Sequence, residues 1–292
     1  MSDGSGDSLL AHLQSPDDWD GESIVVLLHG LTGCAESSYM RNSASYFLSH
    51  GEAVVRLNLR GAGPGRILST SLYHAGRSED LRDALHALVP QLPKRGGTVF
   101  RLMGFSLGAN ILLKALAEDM AGLKVEAAVA ISCPIDLKAA QVRISKPRNK
   151  LYHNYLLGLM RRNFLAGPGV SDEDRCIIHK NIKTVRDFDQ FIVSRRFGFS
   201  DAEDYYEKSS AKRYLPRISH PTLLIHADDD PWIPSRIYRD FGWRGLDPEI
   251  RLIMTRGGGH VGFHGEGSSA AWHDRAAAKF FASVGERQAV AA

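Results

Sequence analysis

Cysteines, long apolar runs and excess charge are all scarce in this sequence. The 292 residues include only three cysteines, which lie far apart at Cys34, Cys133 and Cys176. Such an odd and scattered set argues against a disulfide framework or a zinc site and makes a cytoplasmic location the expectation. No unbroken apolar run is longer than the five residues 24–28, whereas a transmembrane helix needs roughly 20. No secretion signal is visible at the N-terminus.

The charge balance argues against a nucleic-acid partner. The net charge is +3, with 43% hydrophobic and 24% charged residues, which is typical of a globular protein. Basic residues are not interleaved with aromatic residues on any one segment, so nucleic-acid binding is not expected. The charge is uneven, however, because residues 136–214 contain 16 Lys and Arg against 10 Asp and Glu.

Apolar strand-like runs alternate with helical periodicity, which predicts the α/β class, a mostly parallel sheet with helices on both faces. The alternation stops after residue 132 and resumes at 222, and the sequence between is helical and charged. We therefore expect one domain over residues 1–292 with a helical lid, residues 134–218, inserted between core strands. Strands are predicted at 24–28, 53–57, 98–103, 127–132, 222–226 and 250–255, and helices at 79–88, 107–118 and 270–281.

One helical face of the expected lid is apolar and leads into two basic residues. The face and the two residues after it are Leu151, Tyr155, Leu159, Met160, Arg161 and Arg162. One interpretation is that the face lines a pocket for short to medium acyl chains, while the arginines favour anionic substrates or weak contact with a lipid surface. The alternative is that the face packs on the sheet and the charges form a solvated surface.

The segment Gly104-Phe105-Ser106-Leu107-Gly108 fits the pattern G-x-S-x-G between a predicted strand and a predicted helix. Its glycines remove the Cβ atoms that would clash in a tight turn, which exposes the serine hydroxyl above the sheet. The helix N-terminus that follows favours developing negative charge. A simple turn is the alternative, but it does not explain the strand and helix on either side. Ser106 is therefore the candidate nucleophile.

A serine hydroxyl is a weak nucleophile at neutral pH, so it needs a base and an acid that orients the base. With this motif the chain order is serine, acid, histidine. The predicted strand at 222–226 runs into three aspartates, and we choose Asp230, the last before Pro231. Asp228 and Asp229 are interpreted as turn residues in solvent. Asp136, which follows the preceding strand, is the alternative acid.

The candidate base is His260, which directly follows three glycines after the predicted strand at 250–255. A flexible glycine loop allows the imidazole to reach the serine. The chain has 12 histidines, of which His29, His226 and His264 are the competitors. Only His260 and His264 come after the acid in the right loop.

The oxyanion that forms during acyl transfer needs backbone N–H donors. One comes from Leu107, the residue after the nucleophile, and we expect the second from Leu31 in the glycine-containing loop 29–33. The glycine-rich segment 61–65 lacks the Lys-Ser/Thr ending of a phosphate loop and the glycine spacing of a dinucleotide site. We expect neither a metal nor a cofactor.

These motifs resemble those of the YheT-like α/β-hydrolases, a family of esterases related to mammalian phospholipases and acylglycerol lipases. The resemblance extends from about residue 27 to residue 281 and implies a triad at Ser106, Asp230 and His260 and hydrolysis of carboxylic esters. The motifs that carry it beyond the candidate site are Asn58-Leu59-Arg60-Gly61, Tyr73-His74-Ala75-Gly76, Glu79-Asp80-Leu81, Thr184-Val185-Arg186-Asp187-Phe188-Asp189, Gly198-Phe199 and Asp204-Tyr205-Tyr206.

The sequence therefore predicts a serine esterase of the α/β-hydrolase fold that cleaves small-molecule esters through an acyl-Ser106 intermediate. Thioesterase, lysophospholipase, amidase and acyltransferase activities use the same triad and stay open as alternatives. A non-catalytic binding protein is the alternative from another class, although such proteins usually lose a triad residue. The sequence does not indicate an oligomeric state.

Overall fold

A computed structural model describes residues 1–94, 97–118, 120–247, 249–265 and 267–291, with side chains up to residue 287. The other residues of the expected 1–292 domain lie outside this description. After two consecutive strands, helices and strands alternate up to residue 131, helices alone follow up to residue 217, and strands then return. Among the described residues, no helix is long and apolar enough to cross a membrane.

The strands form one sheet: β1 (Leu10–Gln14), β2 (Ser23–Leu28), β3 (Ala53–Asn58), β4 (Val99–Phe105), β5 (Val125–Ile131), β6 (Thr222–Ala227) and β7 (Ile250–Thr255). Their order is β1-β3-β2-β4-β5-β6-β7, and every neighbouring pair is parallel except β1 with β3. The predicted mostly parallel sheet is thus confirmed. The edge strand β1 was not predicted, because its partly exposed residues form no apolar run.

Eleven α-helices lie in the described residues: α1 (Ser38–Ser49), α2 (Glu79–Leu88), α3 (Leu107–Leu116), α4 (Leu137–Ile144), α5 (Lys150–Leu165), α6 (Asp172–Lys180), α7 (Val185–Phe188), α8 (Arg195–Phe197), α9 (Ala202–Ser209), α10 (Arg236–Arg239) and α11 (Trp272–Ala291). Helices α1 and α11 cover one face of the sheet, while α2 and α3 cover the other. A π-helical turn, Asp189–Ser194, connects α7 to α8.

Two hydrophobic cores lie on opposite faces of the sheet because successive side chains of a strand point to opposite sides. In β2, Ile24, Val26 and Leu28 pack into the core on the α2 and α3 side. Val25 and Leu27 pack into the core beneath α1 and α11. Burial on both faces explains why these strands are continuous apolar runs rather than alternating patterns.

The loops that matter for chemistry all follow carboxyl ends of parallel strands. Strands β2, β4, β6 and β7 end at Leu28, Phe105, Ala227 and Thr255, and their carboxyl ends share one edge of the sheet. Residues after each end therefore meet at that edge. The segment between β5 and β6, residues 137–217, contributes the helices α4 to α9, and we call it the insert.

Candidate active site

Ser106 occupies a strained turn between β4 and α3. Its backbone has φ 51° and ψ −119°, a left-handed region that side chains other than glycine rarely adopt. The turn also needs glycine on each side. A Cβ on Gly104 would lie 2.7 Å from Ala109 Cα, and one on Gly108 would lie 2.4 Å from the carbonyl oxygen of His29. Both approaches are shorter than real contacts, so the G-x-S-x-G spacing is a steric requirement.

Three predicted side chains lie in one chain of hydrogen bonds. The Ser106 hydroxyl donates to His260 Nε2 over 3.0 Å, and His260 Nδ1 donates to Asp230 Oδ2 over 2.8 Å. The first contact places a proton acceptor on the serine, and the second fixes the imidazole tautomer that leaves Nε2 free to accept.

Asp230 is fully buried and held by its backbone surroundings. Its Oδ1 accepts the N–H groups of Trp232 and Ile233 at 2.8 and 2.9 Å. With Oδ2 on His260, both oxygens of the carboxylate are satisfied, which offsets the cost of burying its charge. The Trp232 ring lies 4.6 Å from the His260 ring and shields the imidazole from one side.

The other aspartates weighed for the acid position are engaged elsewhere. Asp136 caps α4 by accepting the Ala139 N–H at 2.9 Å, and it also pairs with Lys212. Asp228 pairs with Arg239 at 2.6 Å. Asp229 is exposed and accepts the Gly259 N–H at 2.8 Å, so it positions the glycine loop that carries the histidine.

The competing histidines do not approach Ser106. His29 is buried, accepts the Leu59 N–H at Nε2 and donates from Nδ1 to the Gly30 carbonyl, and burial lowers its pKa to about 4. His226 is buried against the Tyr238 ring at 4.4 Å, and burial lowers its pKa to about 4 as well. His264 is exposed. His29 and His226 are therefore neutral packing residues at pH 7.

Two backbone N–H groups in the loop after β2 donate to tyrosine hydroxyls. Gly30 N–H donates to the Tyr39 hydroxyl at 2.9 Å, and Thr32 N–H donates to the Tyr73 hydroxyl at 2.7 Å. Leu31 N–H lies between them, and within the described chain no acceptor is assigned to it or to Leu107 N–H. Both leucines line the cavity that holds Ser106, and their role as oxyanion donors stays a prediction. The two tyrosines were not predicted.

An apolar cavity of about 380 Å³ extends from Ser106 between the sheet edge and the insert. Its walls beyond the reaction centre come mainly from α4, α5, α7 and α9. Representative lining residues are Leu137, Ile144, Leu156, Met160, Phe188 and Tyr205. A second cleft of about 640 Å³, lined largely by polar residues of α1 and the loop before α11, shares Tyr39, His260 and Val261 with the first.

The prediction for the apolar face of α5 is wrong, because the face that points into the cavity is shifted by one residue along the helix. Leu151 and Tyr155 are exposed, at 88% and 62%, whereas Leu156 and Met160 are buried and line the cavity. The reason lies outside the helix. Tyr152 stacks on Trp232 with ring centroids 3.5 Å apart, which turns the 152-156-160 face of α5 inward. Met160 alone of the predicted set lines the cavity.

A model of the alpha/beta hydrolase family matches residues 25–278. The chain belongs to the alpha/beta hydrolase family. Among its relatives, the candidate esterase YheT of Escherichia coli is 33% identical over 260 residues, covering 88% of this chain and 75% of that protein. The monoacylglycerol lipase of Saccharomyces cerevisiae is 33% identical over 281 residues, covering 91% of this chain and 61% of that lipase. These matches confirm the resemblance to YheT-like hydrolases.

Solved structures agree with the fold of this alpha/beta hydrolase. The esterase Pf2001 of Pyrococcus furiosus superposes with a TM-score of 0.61, covering 97% of this chain and 95% of that one, at 18% sequence identity. At that identity the likeness concerns the fold, so the chemistry must be argued from the site itself.

Proposed function

We propose that this protein is a serine hydrolase that cleaves carboxylic esters, with Ser106 as nucleophile, His260 as base and Asp230 as the acid that orients the base. The observation that carries the proposal is the continuous hydrogen-bond chain from the Ser106 hydroxyl through His260 to Asp230. The esterase and lipase names of the relatives support the same chemistry.

The reaction proceeds in two steps. His260 Nε2 removes the Ser106 proton as Oγ attacks the ester carbonyl carbon, and the amides of Leu31 and Leu107 stabilise the oxyanion. His260 then gives its proton to the departing alcohol oxygen, which leaves an acyl-Ser106 ester. A water molecule, deprotonated by His260, attacks that ester, and His260 returns the proton to Ser106 Oγ as the carboxylic acid leaves. Neither a metal nor a cofactor is assigned a role.

The apolar cavity and the polar cleft on either side of His260 indicate how the ester binds. The acyl chain occupies the apolar cavity, and the alcohol leaves through the polar cleft on the other side of His260. A volume of about 380 Å³ is at the lower end of the range for ligand pockets, roughly 300–1,000 Å³, which favours short to medium acyl chains. Thioesters and lysophospholipids would be cleaved by the same chemistry.

The insert serves as a lid in this proposal, since four of its helices wall the cavity. On its outer side, exposed Leu151 and Tyr155 lie on the helix that carries exposed Lys150 and Arg162. An apolar pair beside basic groups is suited to weak contact with an anionic lipid surface. The cytoplasmic location stays a prediction.

Hydrolysis of nitrophenyl esters with two to sixteen acyl carbons tests the proposal. Wild-type protein should favour the short to medium chains. Ser106→Ala should lower kcat by about 10⁶-fold without changing the circular dichroism spectrum, because the hydroxyl forms the covalent bond. Retained hydrolysis by the folded variant would refute the assignment.

A further inference from the structure

The motif Thr184-Val185-Arg186-Asp187-Phe188-Asp189 contains one charged residue that local structure leaves unexplained. Thr184 and Asp187 form a capping box at the start of α7, each side chain bonding the backbone of the other. Val185 and Phe188 are buried in the wall of the apolar cavity. The side chain of Asp189 caps neither α7 nor the turn that follows it, and its carboxyl group is nevertheless buried.

Asp189 lies in the wall of the same cavity as Ser106. It opens the π-helical turn Asp189–Ser194, and such turns often mark functional sites. Its Oδ2 accepts a hydrogen bond of 2.6 Å from the hydroxyl of Tyr206, which also lines the cavity. Two motifs of the insert thus meet at one polar point in a mostly apolar wall, which also includes Gln141 and His74.

Among the described residues, no cationic side chain forms an ion pair with Asp189. Arg186, on the same turn, is exposed and bonds to Glu203. The groups of α9 that face Asp189 are the phenols Tyr205 and Tyr206, and the Tyr205 hydroxyl already accepts the Ala75 N–H. Burial raises the pKa of Asp189 to about 7. A buried acid with one neutral donor costs stability, so packing alone does not explain it.

We propose that Asp189 and Tyr206 form a polar subsite in the acyl cavity that binds a hydroxyl group on the acyl chain. This inference rests on the proposed ester hydrolysis and names its substrate class: hydroxyacyl esters bind better than plain acyl esters of equal length. Asp189 acts here as a specificity residue and not in the chemical step.

A hydroxyl group fits the subsite better than a charged group does. A hydroxyl both donates and accepts, so it pairs with Asp189 in either protonation state and with the Tyr206 oxygen. A carboxylate on the chain would be repelled by ionised Asp189. An ammonium group would require a fully ionised partner, whereas the Asp189 carboxyl is only partly ionised at neutral pH.

The experiment compares nitrophenyl esters of four to ten acyl carbons that end in a methyl, hydroxyl or trimethylammonium group. At the best-fitting length, wild-type kcat/KM should be about 10-fold higher for the hydroxyl than for the methyl ester, the effect of one buried hydrogen bond. Asp189→Leu should reduce that ratio to about 1, mainly by raising KM for the hydroxyl ester.

Two further variants show whether a lost preference for the hydroxyl ester comes from the subsite or from a disturbed fold. Asp189→Asn keeps one acceptor oxygen and should preserve part of the preference. Asp201→Asn changes a carboxylate to an amide at the cap of α9, outside the cavity lining, and should leave the ratio at its wild-type value.

The outcomes distinguish this inference from the proposed function. Wild-type hydrolysis of all esters with a hydroxyl-to-methyl ratio near 1, or a preference for the trimethylammonium ester, would overturn the subsite and leave ester hydrolysis intact. An unchanged ratio in Asp189→Leu would also overturn it. Failure of the wild-type protein to cleave any ester would refute both.

Discussion

The loops at the sheet edge and the insert hold their buried carboxyl groups in different ways. Asp230, in a loop after β6, accepts two backbone N–H groups and bonds to His260. Asp189, in the insert, accepts the Tyr206 hydroxyl, and burial raises its pKa to about 7. The sheet edge thus holds the proposed acid mainly through backbone hydrogen bonds, whereas the insert holds its buried carboxyl group through one tyrosine side chain.

Replacing each of these two aspartates with asparagine should give the largest difference in kcat. Asp230→Asn should lower kcat about 10⁴-fold on any ester, because the amide favours the wrong imidazole tautomer. Asp189→Asn should change kcat for a plain acyl ester less than about 3-fold, since it does not touch the reaction centre. Steady-state kinetics of both variants on one nitrophenyl ester gives the comparison.

Asp136→Asn is the control for this pair, because Asp136 caps α4 and lies on no path to His260. A larger loss from Asp136→Asn than from Asp230→Asn would reverse the assignment of the acid.

Within the sheet-edge loops, Tyr73 should matter through the amide beside it. Tyr73→Phe removes the acceptor of the Thr32 N–H and loosens the loop that presents Leu31, so kcat should fall about 10-fold. Tyr214→Phe, which lies outside the lining of both clefts, should have no effect on kcat. If Tyr73→Phe keeps wild-type kcat, the tyrosine does not position the oxyanion donor.

The outer surface of the insert should respond to salt. Hydrolysis of an ester presented in anionic vesicles should weaken as ionic strength rises beyond 0.15 M, where the screening length is about 8 Å. Arg162→Ala should reduce vesicle binding about fivefold. Arg161 is a poorer choice, since it bonds to the Ile182 carbonyl and supports the insert. Equal salt dependence for a neutral soluble ester would leave this surface without a lipid role.

The smallest expected effect is a change in thermal stability when Asp189, in the insert, is replaced. The pKa of Asp189 is near 3.8 when unfolded and about 7 when folded, so the wild type loses stability as pH rises from about 4 to 7. Asp189→Asn removes this loss. Its melting temperature should therefore exceed that of the wild type by a few degrees at pH 8 and by less at pH 4.

The neighbours of Asp189 do not obscure this comparison. Burial lowers the pKa of His74, which also lines the cavity, to about 3 and raises the pKa values of Tyr205 and Tyr206 beyond the tested range. A difference in melting temperature that is constant across pH would show that Asp189 has an ordinary pKa.

The sheet-edge chemistry could be predicted because it depends on short segments. A serine between two glycines after a strand forces one turn, and the chain order then directs attention to Asp230 and His260. The insert depends on distant contacts. Leu151 and Tyr152 are both apolar, and only the stacking of Tyr152 on Trp232, eighty residues later, decides which of them turns inward.

The other features that were not predicted from the sequence also depend on contacts between distant segments. Strand β1 is defined by its pairing with β3 rather than by its own pattern. Tyr39 and Tyr73 act on a loop that neither adjoins in sequence. Asp189 belongs to a motif that is visible in the sequence, but its burial beside Tyr206 depends on how the helices of the insert pack.

Labelling with a fluorophosphonate, followed by digestion and mass spectrometry, tests the central claim that His260 and Asp230 activate Ser106. We expect one adduct, on the peptide that contains Ser106, which is absent from Ser106→Ala and forms far more slowly in His260→Ala. An adduct on another residue, or no adduct on folded wild-type protein, would contradict it.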